Sequence, residues 1–538
     1  MKFDNRQKLI FVLLLLISLG VFGLYIPPNA AGSQNLAMVQ MFQPDEAAVY
    51  PYVINMIVPA SNFYQGLHSF VFYGYYFYGF PYFAASAVVL LPLRLTGNLG
   101  NVSTAMLLLR QLISVLPMLA ALLLLVFMQD GFRTYRSVVL YIFLIGVPAV
   151  VQNNLWWHPD GIVFLLIVLT LFFLMRDNLR LGKNFLLAAV MCGIATATKL
   201  VGLYFFLAVG LVLALSLVQK RATWKRAIGM AFAFLLVLAA TFLISNPFLV
   251  SSWARTSYFD IFRQQTALLS EGYAVYYGKG PAAAWPLLHA SYGEIIFLLV
   301  ALGTAVWGSI RGTNRFLYGI ILAWFIPLTV SVLWLTHFKF QYWLPVALPL
   351  FSTPIILLPE KWKIPPRPVK SNRKNWLMFC IRILLLVVVL GQFVLYLVTD
   401  IHLYRMDLTR TDNNPRIAFY SKVVDSLKPL SQHALNVYYD YRLYVPATSG
   451  WTTTTTYDLL DYSFVQEGKF SILLLLEQRI RDYLNPNVTG INPVEFAKNQ
   501  QFYKDAENGT IKGYELVFRN SVGLVFVDET LYQQYFHK

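Results

Sequence analysis

Long apolar runs recur along this chain, and the first extends from Leu9 to Ile26. A helix needs about 20 mainly apolar residues to cross the ~30 Å hydrocarbon core of a bilayer. The composition agrees with this reading, because 57% of the residues are hydrophobic and only 13% are charged. The sequence therefore predicts a polytopic α-helical membrane protein. Because the first run lacks a small-residue cleavage site, we interpret it as a signal anchor.

The positive charges are concentrated in the apolar part of the chain. Residues 401–538 contain 14 Lys and Arg against 15 Asp and Glu, which leaves 28 against 11 for residues 1–400. Of those 28 cations, 20 fall in six short segments, residues 2–8, 133–136, 176–183, 220–226, 311–315 and 361–374. The positive-inside rule places such segments in the cytoplasm. The net charge of +16 thus reflects membrane topology, and it does not indicate a nucleic-acid partner.

With these segments in the cytoplasm, the sequence predicts about eleven transmembrane helices. They cover residues 8–26, 104–128, 137–153, 161–175, 184–198, 200–218, 227–244, 294–310, 316–335, 343–359 and 376–398. The N-terminus is then cytoplasmic and the C-terminus exoplasmic, as expected for a multi-pass protein of a plasma or inner membrane. The apolar stretch 80–95 contains Pro81 and Pro92, so we expect it to lie in the outer interface.

The predicted domains follow from this topology. Residues 1–399 form the transmembrane module, with exoplasmic loops at 27–103 and 245–293. Residues 400–538 form a small exoplasmic α/β domain, because strand-like runs such as 470–476 alternate with polar stretches and turn signals. The two cysteines, Cys192 and Cys380, lie in apolar runs and predict neither a disulfide nor a metal site.

Several ionisable residues lie at the outer ends of the predicted spans. Charges at membrane depth are costly, so they usually face a protein interior or an aqueous cavity. The residues are Asp45 and Glu46 in FQPDEAAVY, Arg110 in RQLISVLP, His158 and Asp160 in NNLWWHPDG, Lys199 in ATATKLVG, and His337 and Lys339 in THFKFQYWLP. In the predicted topology all of them lie on one side of the membrane.

Each residue also has a simpler explanation. Asp45 could open a helix, because carboxylates favour the first helical turn. Arg110 and Lys199 could extend to lipid headgroups. His158 could belong to a turn, and Lys339 could anchor the chain at the interface. It is the combination that favours a functional site.

The combination fits the transfer of a sugar from a polyprenyl phosphate to an acceptor hydroxyl. A carboxylate takes the acceptor proton, and Lys or Arg donors stabilise the charge on the departing phosphate. We predict Asp45 as the general base of an inverting displacement and Glu46 as a catalytic neighbour that orients a cation or the loop. The predicted donor-binding residues are Arg110, His158, Asp160, Lys199, His337 and Lys339.

These motifs resemble, in order, those of the GT-C superfamily of lipid-donor glycosyltransferases. The branch they resemble contains the protein O-mannosyltransferases and the lipid A aminoarabinose transferase. Its hallmark is an acidic pair in the first exoplasmic loop, matched here by Asp45-Glu46. RQLISVLP, HPDG, TKLVG and HFKFQYWLPVALP resemble further landmarks. The resemblance implies a polyprenyl-phosphate-linked hexose or pentose as donor, and a lipid, glycan or protein as acceptor.

Two features depart from that branch. Its His-Pro-Pro-Leu or Lys-Pro-Pro-Leu motif is replaced by YGFPYF, without an adjacent charge, and the Trp-Trp-Asp pattern of oligosaccharyltransferases is absent. A transporter or lipid flippase stays open as an alternative, although such proteins bind ligands near the bilayer midplane. An O-antigen ligase or polymerase is a second alternative. No ligand spacing requires a metal, and a divalent ion near Asp45, Glu46 and His158 stays open.

Overall fold

A computed structural model describes residues 4–271, 279–335, 338–359, 373–447, 451–485 and 493–536. The helices of the first range are α1 (Asn5–Leu24), α2 (Ile26–Ala30), α3 (Leu36–Phe42), α4 (Pro44–Ile57), α5 (Phe63–Val71), α6 (Phe80–Leu95), α7 (Val102–Leu109), α8 (Leu116–Asp130), α9 (Arg136–Ile145), α10 (Pro148–Asn154), α11 (Asp160–Asp177), α12 (Lys183–Thr198), α13 (Phe206–Val218), α14 (Trp224–Ile244) and α15 (Ser252–Glu271). They continue with α16 (Pro281–Tyr292), α17 (Ile295–Arg311), α18 (Arg315–Leu333), α19 (Phe340–Phe351) and α20 (Arg373–Leu408).

The chain is an integral multi-pass membrane protein, as predicted. Among the described residues, seven helices are long and apolar enough to cross a membrane, and nine do so if two bent pairs each count as one span. This is fewer than the predicted eleven. The other two predicted spans correspond to α11, which carries charges at both ends, and to α12, which has only 16 residues. Both are helices, and α11 packs between α8 and α12 inside the bundle.

Proline and glycine explain one of the bent pairs. Helices α9 and α10 meet at 63°, where Gly146 ends the first helix and Pro148 begins the second. Proline cannot continue a helix from the preceding turn, because it lacks the amide hydrogen and its ring clashes with the earlier carbonyl. The segment that contains His158 follows directly after this bent pair.

The segment 27–103 is folded, with short helices that pack on one another. Helix α6 has 16 residues, fewer than a perpendicular span requires, and it packs against α4. Its aromatic neighbours form a buried cluster in which the Tyr73 ring stacks on Phe83 at 4.1 Å and the Tyr76 ring stacks on Phe248 at 4.4 Å. This packing joins the first long loop to the start of the second.

The C-terminal region is an α/β domain, as predicted. Its sheet has the order β2-β1-β3-β5-β4, with β1 parallel to β2 and β3, and β5 antiparallel to β3 and β4. Strands are β1 (Leu435–Tyr439), β2 (Trp451–Thr454), β3 (Ile472–Leu476), β4 (Tyr514–Arg519) and β5 (Gly523–Asp528), and helices are α21 (Pro415–Ser426), α22 (Tyr462–Gly468), α23 (Glu477–Leu484), α24 (Pro493–Asn508) and α25 (Glu529–Tyr535). Hydrophobic clusters cover both faces, which explains the continuous apolar sequence of β3.

The C-terminal domain docks onto the segment that precedes α4. The Asn35 amide donates to the Tyr444 hydroxyl at 3.2 Å, and the Tyr439 hydroxyl donates to Gln40 Oε1 at 3.1 Å. Arg410 Nε donates to the Ala31 carbonyl at 2.9 Å. Helix α20 continues to Leu408, so the boundary predicted at residues 399/400 falls inside a helix. The last apolar helix therefore leads without interruption to the docked domain.

Candidate active site

Asp45 and Glu46 lie in the first turn of α4, and their side chains have different environments. Pro44 begins the helix, as its fixed φ angle favours. The Asp45 side chain is partly exposed, and none of the described hydrogen bonds ends on its carboxylate. Gln43 occupies the N-cap position. Asp45 therefore does not act as a helix cap in the described structure, whereas Glu46 is completely buried.

The Glu46 carboxylate forms the most enclosed polar contact of the site. Arg110 donates from Nε to Glu46 Oε1 at 2.9 Å and from Nη2 to Oε2 at 2.5 Å, and both side chains have 0% exposure. The Trp157 backbone N–H also donates to Oε1, at 2.5 Å. Arg110 Nη1 completes the arrangement by donating to the Asn29 carbonyl at 2.6 Å. One carboxylate thus joins α4, the Arg110 segment and the residue before His158.

Arg110 contacts Glu46 and Asn29 in this geometry, and its contact with a donor phosphate stays a prediction. Its guanidinium is enclosed, and its described hydrogen bonds all go to Glu46 and Asn29. Arg110 begins a π-helical turn, residues 110–115, between α7 and α8. Such turns insert an extra residue and change which side chains point inward. The supporting role predicted for Glu46, orienting a cation, agrees with this contact.

His158, Asp160 and Lys199 form a second cluster. Lys199 Nζ donates to Asp160 Oδ1 at 2.7 Å, and His158 Nδ1 contacts Asp160 Oδ2. The Tyr78 hydroxyl lies 2.7 Å from His158 Nε2, and burial lowers the pKa of His158. A neutral imidazole with its proton on Nδ1 satisfies both contacts. The Lys199 side chain keeps 18% exposure and lies 5.0 Å from the Tyr342 ring centroid.

The YGFPYF segment positions this cluster through its backbone. Gly79 N donates to the Thr198 carbonyl at 3.1 Å, directly before Lys199, and Phe80 N donates to Asn246 Oδ1 at 3.0 Å. A Cβ atom at Gly79 would overlap the Ala197 carbonyl. Only glycine permits this approach without displacing the backbone. The motif that departs from the expected charged pattern therefore has a structural role beside Lys199.

Tyrosine side chains from two parts of the chain surround Asp45. Burial, and then the charge of Asp45, raises the pKa of Tyr75 in the first loop. Burial and the charge of Asp45 also raise the pKa of Tyr457 in the C-terminal domain. The Tyr457 hydroxyl donates to the Pro44 carbonyl at 3.1 Å. Tyr78, which contacts His158, also lies within the electrostatic influence of Asp45. Asp45 is thus near both the His158 cluster and the C-terminal domain.

The remaining predicted residues are less constrained. Lys339 precedes α19 and is partly exposed, and none of the described side-chain contacts involves its ammonium. His337 lies outside the described residues. Two surface recesses, of about 600 Å³ along α15 and about 560 Å³ around Asn55 and His68, contain none of the predicted site residues. In the part of the chain that the structure describes, no three His, Cys, Asp or Glu side chains converge as metal ligands would.

Some residues of the site were not identified from the sequence. Asn29 and Trp157 contribute through backbone atoms, so their residue types give no signal. Ser114 Oγ donates to the Trp156 carbonyl at 2.7 Å and accepts from His158 N at 3.3 Å, which fixes the turn before α11. The glycine of HPDG, Gly161, is the one sequence signal for this close packing. A Cβ atom at Gly161 would lie 2.6 Å from the Ser114 carbonyl oxygen, so a larger residue would displace the Ser114 segment.

Comparisons with known proteins identify the fold. No family model matches the chain, and no curated protein sequence matches it. The structure of ArnT from Cupriavidus metallidurans bound to undecaprenyl phosphate aligns over 97% of this chain and 98% of that one, with a TM-score of 0.52 and 11% identity. The apo structure of that protein gives a TM-score of 0.48 at 12% identity over the same shares of both chains.

A third similar structure is the Archaeoglobus fulgidus oligosaccharyltransferase in complex with Zn and sulfate. It has a TM-score of 0.46 and 11% identity, over 96% of this chain and 73% of that one. The ArnT alignment carries the conclusion, because it extends over nearly the whole of both chains. The chain has the fold of the GT-C glycosyltransferases, as its sequence motifs predicted.

Proposed function

We propose that this protein is a glycosyltransferase that moves a sugar from a polyprenyl-phosphate donor to an acceptor hydroxyl with inversion at the anomeric carbon. The observation that carries the proposal is the buried Glu46 carboxylate, which accepts hydrogen bonds from both Arg110 and the Trp157 backbone. It fixes the neighbouring Asp45 relative to the segment of His158. The base candidate and the cluster of His158, Asp160 and Lys199 thereby belong to one framework.

The proposed roles follow from the environments of the side chains. Asp45 takes the acceptor proton while the acceptor oxygen bonds to the anomeric carbon. The bond from that carbon to the phosphate oxygen breaks, and its electron pair leaves with the polyprenyl phosphate. Lys199 and Lys339 stabilise the phosphate charge. Asp160 and His158 position the Lys199 ammonium, since Asp160 accepts its hydrogen bond and His158 contacts Asp160.

The known ligand of the similar structure supports this donor class. The Cupriavidus metallidurans ArnT was crystallised with undecaprenyl phosphate, the lipid that remains after such a transfer. We propose that the site and the C-terminal domain face the exoplasm, because the six cation-rich segments then lie in the cytoplasm. The acceptor is a lipid, a glycan or a protein, and the transferred sugar is a hexose or a pentose.

Variants of the proposed base and of a proposed donor-binding residue test the proposal. Purified protein in nanodiscs receives radiolabelled undecaprenyl-phosphate sugars, hexoses and pentoses, together with extracted membrane acceptors. Asp45→Asn should reduce turnover at least 100-fold while labelled undecaprenyl phosphate still binds, because the amide cannot accept the proton. Lys199→Ala should weaken that binding. Asp412→Asn, an exposed carboxylate of the C-terminal domain, is the matched control and should match the wild type.

Near wild-type turnover in a folded Asp45→Asn protein would refute the assignment of the base. In a parallel reconstitution into sealed vesicles, a wild-type protein that moves the intact donor across the bilayer without transferring its sugar would instead identify a flippase. The assay therefore separates the enzyme from its main alternative.

A further inference from the structure

A pair of tyrosines from the C-terminal domain lies beside the proposed general base. The Tyr441 and Tyr457 ring centroids are 4.7 Å apart, with 39° between the ring planes. The Tyr457 hydroxyl donates to the Pro44 carbonyl, one residue before Asp45. Even so, Tyr457 keeps 51% of its surface exposed. An exposed aromatic ring held at a fixed position offers a flat surface for a ligand.

A buried cation fixes the loop that carries this ring. Arg479 Nη1 donates to Asp440 Oδ1 at 2.7 Å, and the two side chains have only 6% and 1% exposure. The same guanidinium donates to the carbonyls of Thr456, Tyr457 and Asp458, at 3.2, 3.3 and 2.5 Å. Three successive backbone carbonyls are thus held by one side chain. These hydrogen bonds restrain the loop, and all of their donors and acceptors belong to the C-terminal domain.

Arg479 also supports the second ring. Its guanidinium carbon lies 5.3 Å from the centroid of Tyr441. The Arg442 guanidinium carbon also lies 5.6 Å from this centroid, and such cation–π contacts stabilise the ring position. The Tyr441–Tyr457 pair is therefore preorganised, and a ligand that binds it need not order the loop.

From this geometry we infer that the Tyr441–Tyr457 pair binds the acceptor, and that the acceptor carries a sugar ring which stacks on Tyr457. The inference rests on the proposed function, since it takes Asp45 as the base. An acceptor hydroxyl must reach Asp45, and Tyr457 contacts the residue next to it. The apolar C–H face of a sugar packs on an aromatic ring, and its hydroxyls need polar partners.

The sequence beside Tyr457 supplies such partners. Residues 452–456 are five consecutive threonines, and Thr452 and Thr453 are exposed on β2, at the edge of the sheet. Rings together with hydroxyls favour a saccharide over a purely apolar lipid. A peptide added to the edge strand β2 is the competing occupant.

The first experiment identifies the chemical class of the product. Wild-type protein in nanodiscs receives labelled undecaprenyl-phosphate sugar and a total membrane extract, and the product is separated into glycolipid and protein fractions. Label is expected in a glycolipid that migrates apart from the unreacted donor, and only in the presence of the protein. Label confined to protein would overturn the inference, and the enzyme would still be a glycosyltransferase. No transfer from any donor would remove the proposed function, and this inference with it.

The second experiment separates the ring from the hydroxyl. Tyr457→Ala should raise the apparent KM for the glycolipid fraction about ten-fold, with kcat and undecaprenyl-phosphate binding within about three-fold of wild type. Tyr457→Phe keeps the ring, so its KM should stay near wild type. Tyr64→Ala, which removes an exposed tyrosine of α5, is the control. Equal losses in Tyr457→Phe and Tyr457→Ala, or an unchanged KM in Tyr457→Ala, would refute acceptor stacking.

Discussion

The buried pair of Arg110 and Glu46 gives a prediction that distinguishes a structural role from donor binding. Replacing Arg110 with Met removes the three hydrogen bonds that its side chain donates. Among the described residues, the Glu46 carboxylate would then keep only the Trp157 N–H as a partner, inside a site with 0% exposure. Breaking a buried ion pair by removing one member costs about 3–5 kcal/mol. We expect Arg110→Met to lower the free energy of unfolding by about that amount.

A second substitution should restore part of the loss. The double variant Arg110→Met/Glu46→Gln contains no unpaired buried charge at this site. The carbonyl oxygen of the introduced side-chain amide can still accept a hydrogen bond from Trp157 N. The remaining defect is an unpaired Asn29 carbonyl and an unpaired amide group, which cost about 1–3 kcal/mol. The double variant should therefore be more stable than Arg110→Met by about 2 kcal/mol. Such a rescue is not expected if Arg110 mainly binds a ligand.

The measurement is reversible unfolding in mixed micelles with SDS as denaturant, followed by tryptophan fluorescence. Binding of labelled undecaprenyl phosphate to each folded variant is measured in parallel. An Arg110→Met protein within about 1 kcal/mol of wild-type stability, but without donor affinity, would refute the structural role. A double variant less stable than Arg110→Met would also contradict the reasoning, because it would show that the stranded carboxylate is not the cause of the loss.

Two further predictions concern packing and orientation. Gly79→Ala should destabilise the protein by about 3 kcal/mol, because backbone must move to admit the methyl group; Gly100→Ala, where nothing lies within 4 Å of the added atom, should have little effect in the same unfolding assay. A cysteine replacing exposed Ser431 should react with a membrane-impermeant maleimide in intact cells. A cysteine replacing exposed Thr313 should react only after the cells are permeabilised. The reverse pattern would mean that the proposed topology is inverted.

The features that the sequence predicted depend on local pattern. Apolar length predicted the membrane helices, and the alternating runs predicted the C-terminal sheet, because each signal lies within one element. The acidic pair at 45–46 is conspicuous in a mainly apolar chain, and its catalytic role stays a prediction. These signals did not require knowledge of distant contacts.

The features that were missed depend on distant contacts. The ion pair of Arg110 with Glu46 joins residues 64 positions apart, and a π-helical turn sets the direction of Arg110, so the sequence does not show this pair. Trp157 N–H is 111 residues from the carboxylate it binds, and a backbone donor gives no residue signature. The short helices of 27–103 were not resolved individually, since their apolar patterns are shorter than the windows that identify spans.

Because α20 is continuous, its length sets the position of the C-terminal domain relative to the membrane. Its 36 residues extend about 54 Å, well beyond the ~30 Å apolar core of a bilayer. One inserted residue would rotate everything after it by about 100°, and four would rotate it by about 40° and shift it by about 6 Å along the helix axis. Either change would separate Tyr457 from Pro44. We therefore expect insertions to be better tolerated in the surface turns of the sheet than in α20. The number of residues in α20 sets the distance from the membrane and the orientation at which the C-terminal domain contacts the residues next to the proposed base.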